Sequence, residues 1–163
     1  MSHSKLFFVL DAATGFHRAS PEELIAAARR SLTARIRRGT VLDSPKAAHD
    51  FLCLKLGMLE HEVFVLVMLD NRHRLIAYLE LFRGTIDGAS VHPREVVKES
   101  LRHNAAAVLL AHCHPSGVSE PSRADELITR RLTEALGVVD IRVLDHLIVA
   151  GGEVTSFAER GLI

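Results

Sequence analysis

Cysteine is scarce in this sequence. Its two residues, Cys53 and Cys113, form neither a disulfide framework nor a Cys-x-x-Cys zinc site. Both fall in apolar segments, where a free thiol behaves as a small buried hydrophobe, and this usage fits a reducing cytoplasm. An excess of charge of one sign is also missing. The chain has 20 Lys and Arg against 20 Asp and Glu, a formal net charge of zero, so nothing global points to nucleic acid or an anionic membrane. No apolar run is long enough to span a bilayer. Leu6 to Leu10 follows Lys5 in the manner of a signal peptide, but Asp11 stops it too early. Internal repeats and low-complexity tracts are absent. What is present is ordinary for a globular chain: 163 residues, 48% hydrophobic and 25% charged. That composition implies one main domain, with a core large enough to fold without staples.

Strands and helices alternate along the chain. Leu6 to Leu10 reads as a short strand or a segment packing on the main domain, and Ala12 to Gly15 as a connection. Ser20-Pro21-Glu22-Glu23 starts a helix, with a cap, a proline at its first position and acids in the first turn. Leu24, Ile25, Ala28, Leu32 and Ile36 give it one apolar stripe, and Gly39 ends it. Arg29, Arg30, Arg35, Arg37 and Arg38 gather at its far end. They form either a solvated face or a small basic patch for nucleic acid or an acidic partner. Asp43 or Ser44, with Pro45, caps a second helix to about Leu59, buried along Ala48, Phe51, Leu52, Leu56 and Leu59. Glu62 to Leu69 reads as a central strand, Asp70 to His73 as a turn, and Arg74 to Phe82 as a returning strand. A helix opens at His92-Pro93 and ends near His103-Asn104. Asp140 to Ala150 is a further strand. Gly151-Gly152 makes a tight turn, and Glu153 to Phe157 returns as a hairpin partner. The pattern predicts an α/β fold, a mixed sheet sandwiched by helices, with an N-terminal helical extension.

The chemistry concentrates between these elements, from His112 to Asp125. The apolar run Ala105 to Ala111 is a buried strand that delivers His112 and His114 to one face and Cys113 to the other. Pro115, Gly117 and Pro121 turn the chain. Ser122 caps a helix to about Leu136, with Asp125 in its first turn. That turn can bring Asp125 back beside the two imidazoles. Two histidines and one carboxylate, with a coordination place left open, suit catalytic zinc; other transition ions accept the same donors.

The spacing, His-x-His, seven residues, Ser, two residues, Asp, resembles the JAMM motif of the MPN-domain metalloproteases. The wording His112-Cys113-His114-Pro115-Ser116-Gly117, with Leu144-Asp145-His146-Leu147-Ile148-Val149 later, is similar to the bacterial RadC-like branch. The resemblance covers roughly residues 41–163 and leaves 1–40 as an N-terminal extension with a basic amphipathic helix. It implies the cytidine-deaminase-like fold of MPN domains. It also implies a zinc-dependent hydrolase that cuts a peptide or isopeptide amide in a peptide or protein substrate. In that reading His112, His114 and Asp125 hold zinc. Glu62, at the head of the first central strand, carries the proton, and Ser122 donates to the oxyanion. On the residues alone, Glu80 and Glu95 are also acids available for that proton. The branch usually reads His-Asn-His. Cys113 departs from this and does not supply the hydrogen bonds that an Asn amide would make there. A deaminase is disfavoured, because the His-x-Glu and Pro-Cys-x-x-Cys signature is missing.

Two rival readings stand beside the hydrolase. The branch name is associated with DNA repair, which makes a nucleic-acid-associated accessory protein one rival, supported here by the arginine cluster. RadC-like proteins often carry an added N-terminal helix-hairpin-helix domain; forty residues are not expected to hold it together with the basic helix, and no paired-helix pattern around a Gly hairpin is visible. The other rival is a non-catalytic MPN scaffold, although the ligand set is complete. Ser116 reads as a turn residue and not as a nucleophile, since the Gly-x-Ser-x-Gly setting is absent. Asp145 and His146, on opposite strand faces, are expected to serve structural hydrogen bonds. His3, His17, His49, His61, His73, His92 and His103 are expected at the surface.

Overall fold

The computed structural model describes residues 7–11, 15–35, 39, 41–42, 44–84 and 91–163. The chain divides into two compact units, Met1–Arg35 and Ile36–Ile163.

In the first unit, β1 (Phe8–Asp11) pairs antiparallel with β2 (Gly15–Arg18). The expected segment at Leu6 to Leu10 is a strand from Phe8, and the second strand of the hairpin is an addition to the sequence reading. Gly15 has φ of +73°, a left-handed value that glycine takes without a Cβ penalty. Helix α1 (Pro21–Arg35) follows. Its start is the expected cap made reciprocal: Glu23 N–H donates to Ser20 Oγ, and Ser20 N–H donates to Glu23 Oε2. Arg30 is exposed. Ile36, Arg37 and Arg38 lie outside the described residues, as do the side chains of Arg29, Leu32 and Arg35.

The second unit is built on a five-stranded mixed sheet of order β4-β3-β5-β6-β7. Helix α2 (Pro45–Leu56) leads into it, followed by β3 (Val63–Leu69) and β4 (Leu75–Arg83). Helix α3 (Pro93–Arg102), β5 (Ala107–Cys113), α4 (Arg123–Gly137), β6 (Arg142–Ala150) and β7 (Glu153–Ser156) complete it. Strand β5 is antiparallel to β3 and parallel to β6, and the β5-to-β6 crossover runs through α4.

The apolar runs of β3 and β5 are continuous because both sheet faces are covered. Val63, Val65, Val67 and Leu69 share a core with Ala107, Leu109, Ala111, Cys113 and the buried α2 residues Phe51, Leu52 and Leu56. Phe64, Leu66, Met68, Val108 and Leu110 share the opposite core with Val96 of α3 and with Leu132 and Leu136 of α4. Helices therefore cover both faces, and α3 and α4 stand on the face to which His112 belongs by alternation.

Several expected boundaries move: β5 runs from Ala107 to Cys113 instead of Ala105 to Ala111, and β6 starts at Arg142 instead of Asp140. Strand β3 begins at Val63, one residue after Glu62. Helix α2 stops at Leu56 instead of near Leu59. Gly57 closes it, donating its N–H to Cys53 O at 2.8 Å. Ser44 is the cap, its Oγ accepting from Ala47 N–H; the alternative, Asp43, lies outside the described residues.

Gly57 has an ordinary right-handed backbone, but a Cβ there would fall inside contact distance of the Gly151 carbonyl in the β6–β7 turn and 2.6 Å from Cys53 O. Replacing glycine by alanine near a helix usually gains up to about 1 kcal/mol. Here Gly57→Ala is expected to destabilise the protein by about 1–3 kcal/mol through overpacking against backbone. Urea unfolding checks this, and an unchanged or higher midpoint would contradict it.

Candidate metal centre

His112 lies one residue before the end of β5, and His114 immediately follows the strand. His114 N–H donates to Val149 O at 2.8 Å, so pairing with β6 extends through it. The chain then turns. Gly117, at φ +79°, donates its N–H to His114 O, and Ser116 Oγ accepts from Val118 N–H, as befits the turn residue expected there. Ser122 caps α4 in a full capping box with Asp125. Its Oγ accepts from Asp125 N–H at 3.2 Å, and its own N–H donates to Asp125 Oδ2 at 2.8 Å.

These local devices bring three donor groups together. His112 Nε2 lies 2.9 Å from His114 Nε2 and 3.1 Å from Asp125 Oδ1, and His114 Nε2 lies 3.7 Å from Asp125 Oδ2. Tetrahedral zinc, with bonds of about 2.0–2.1 Å to nitrogen and oxygen, sets its ligands about 3.3 Å apart. The spacing fits. So does the proton inventory at His114. Its Nδ1 is 2.7 Å from Val118 O, a carbonyl that only accepts, so Nδ1 carries the proton and Nε2 turns a lone pair inward. Burial raises the Asp125 carboxyl, but His112 and the Ser122 hydroxyl and amide lower it more, and the net displacement is well below the usual carboxylate range. Ring nitrogens and an anionic oxygen thus meet at a place where a cation is the natural occupant. His112, His114 and Asp125 together could hold a metal ion.

Behind His112 stands a residue whose contact the sequence reading missed. His146 is fully buried, with Nε2 at 2.8 Å from His112 Nδ1 and Nδ1 at 2.5 Å from Thr129 Oγ1. Phe157 stacks on it at 4.8 Å between centroids, and Phe64 meets its edge. Burial above all pushes His146 well below the ordinary histidine range. The contact follows from the strand register and the helix period. His146 registers against Leu110, two residues from His112 on the same face. Thr129 follows Asp125 by one helical turn. The expected structural role belongs to Asp145, whose carboxylate accepts from His146 N–H, Ser156 Oγ and Ala158 N–H.

A family model described as the RadC-like JAB domain matches residues 42–162. The chain belongs to the RadC-like JAB-domain family. It is 64% identical over 135 residues to a UPF0758 protein of Nitrosococcus oceani, covering 83% of this chain and 60% of that one. A UPF0758 protein of Methylibium petroleiphilum is 58% identical over 146 residues, covering 90% and 66%. Another, from Marinobacter nauticus, is 61% identical over 136 residues, covering 83% and 61%. The chain therefore spans between three-fifths and two-thirds of the length of these relatives.

The remaining candidates of this JAB domain sit as follows. Glu62 is half-buried beside β3, and its carbonyl accepts from Gly84 N–H. Glu80 pairs with Arg83 at 3.0 Å, and Glu95 with Lys98 at 3.2 Å, both at the surface. Ser122 Oγ donates its one proton to Asp125 Oδ2 at 2.6 Å. Cap and donor are therefore both engaged with Asp125, and the hydroxyl must turn to serve another acceptor. Cys113 faces the α2 core, as alternation requires. Its thiol, pushed up by burial, donates to the His61 carbonyl at 3.4 Å. Among the described residues, no helix is long and apolar enough to cross a membrane.

Asp145 and His146 separate cleanly by function. Asp145→Ala leaves three donors without their acceptor and is expected to cost about 1.5–3 kcal/mol of stability. Affinity for a metal ion at the three-residue site should be unchanged. Thermal unfolding and chelator competition on one preparation check both, and a metal loss as large as that of Asp125→Ala would contradict the assignment.

Proposed function

We propose that this RadC-like JAB domain is a zinc-dependent metallohydrolase that cleaves an amide, peptide or isopeptide, in a peptide or protein substrate. The observation that carries the reading is the grouping of His112, His114 and Asp125, whose donor atoms lie within 4.8 Å of one another. Two imidazoles and one carboxylate leave a tetrahedral position open, as catalytic zinc requires. Zinc held there would lower the pKa of a bound water toward ~7 and polarise the carbonyl under attack. The helix-covered mixed sheet supports the cytidine-deaminase-like layering of MPN domains.

Glu62 is the proton carrier in this reading. The β3–β5 register pairs Phe64 with His112, and continuing it sets Glu62 opposite His114. Glu62 immediately precedes β3, beside the strand end where Phe64 stacks on His112 at 6.3 Å, and this nearness supports the role. Its carboxylate takes the proton of the attacking water and delivers it to the leaving amine. Ser122 turns its hydroxyl from Asp125 to the oxyanion, a contribution of roughly 3 kcal/mol, about a hundredfold in rate. An extended substrate segment is held along β4, the end strand of the sheet, by strand addition. The loop expected to continue that groove, residues 85–90, lies outside the described residues.

The test is zinc-loaded protein against a panel of peptide and isopeptide substrates. Glu62→Gln is expected to keep its zinc and lose turnover by about 10²–10⁴-fold. Undiminished turnover in this variant removes Glu62 from the mechanism. A wild-type protein that holds zinc yet cleaves no amide counts against the hydrolase reading.

A further inference from the structure

One backbone carbonyl settles the proton positions of a buried chain that ends at a metal-site nitrogen. Thr129 Oγ1 is 2.6 Å from Asp125 O. A carbonyl accepts and never donates, so the hydroxyl gives its single proton to it. Toward His146 Nδ1, at 2.5 Å, Thr129 can then only accept, which puts a proton on that nitrogen. The ring is wholly buried between Phe64 and Phe157, and among the described residues its two nitrogens bond only to Thr129 and His112. A neutral imidazole holding its proton on Nδ1 has a lone pair on Nε2. His146 Nε2 therefore accepts, and His112 Nδ1, 2.8 Å away, donates.

We infer that Thr129 and His146 are positioning residues that hold the proton of His112 on Nδ1 and thereby dedicate Nε2 to the metal. The inference deepens the metallohydrolase reading and takes its functional meaning from it. The relay starts and ends on the site: Asp125 lends its backbone carbonyl and His112 receives the consequence. It couples a ligand on β5 to a ligand on α4 through β6. The other histidine needs no such device, because Val118 O fixes His114 directly. A ring held by a second histidine is different from one held by a carbonyl. The opposite polarity, with His146 Nε2–H donating, would be equally bonded at His112 and would place a proton where the metal binds. Thr129 excludes that alternative.

The experiment uses the full chain and reads ring nitrogens by long-range ¹⁵N–¹H correlation, metal-free and zinc-loaded, beside zinc affinity by chelator competition. Protons are expected on His112 Nδ1 and His146 Nδ1, with none on His146 Nε2, in both forms. A proton on His146 Nε2 overturns the inference. His146→Leu and Thr129→Val should weaken zinc by about 10–100-fold, while Thr129→Ser and His146→Gln, which can still accept from His112 and donate to Thr129, stay within about threefold. Thermal unfolding establishes that each variant is folded. If His146→Leu does not fold, Thr129→Val carries the affinity test. Wild-type zinc affinity in a folded Thr129→Val protein overturns the relay. The expected protons and variant pattern in a protein that cleaves no amide support the relay and sink only the hydrolase reading.

Discussion

Because β5 is covered on both faces, a slip of one residue would send each of its side chains to the wrong core and carry His112 away from α4. The site depends on that constraint. Apolar packing of Val108 and Leu110 on one side, and of Leu109 and Ala111 on the other, fixes the register. The register then decides which way His112 faces. The hydrophobic core thus acts as a positioning device for a polar site buried at its edge. It also explains why Cys113, between the two histidines, takes no part. The same alternation that sends His112 toward α4 commits the thiol to the α2 core.

The helix end adds the second constraint. Asp125 occupies the third position of α4, where its backbone N–H and its carboxylate complete the capping box with Ser122. A carboxylate there is favoured by the unpaired N–H groups of the first turn. One residue therefore anchors the helix start and faces His112 and His114, so local helix chemistry and metal chemistry ask for the same side chain. The short turn from His114 to Ser122 joins the two constraints. It reverses the chain at the end of β5 and starts a helix whose buried face, through Leu132 and Leu136, belongs to the same core as Val108 and Leu110.

Much of this was legible in the sequence. The continuous apolar runs marked strands buried on both faces, and Ser20, Ser44 and Ser122 marked helix starts through their capping chemistry. The His112, His114 and Asp125 grouping was readable because all three lie within one strand–turn–helix segment. What escaped depends on partners distant in the chain. The hairpin strand Gly15–Arg18 carries no clean apolar alternation. The end of α2 at Gly57 is tied to the close passage of the Gly151 carbonyl, which nothing local reveals. His146 was read only as opposite in face to Asp145, and its bond to His112 depends on the β5–β6 register. A shift between Val108 and Leu109 alters that register, and single-strand periodicity does not report it. The arginine cluster near the end of α1 was legible only as composition, which does not distinguish a solvated face from a binding patch.

The account rests on a metal at the meeting point of three side chains, and elemental analysis of freshly prepared, zinc-supplemented protein addresses that most directly. Wild-type protein should carry about one zinc per chain, and His114→Ala and Asp125→Ala should each lose it while remaining folded. A folded wild type without metal, or zinc retained in both variants, would contradict the account. The converging acceptors would then be a structural feature of the α4 cap.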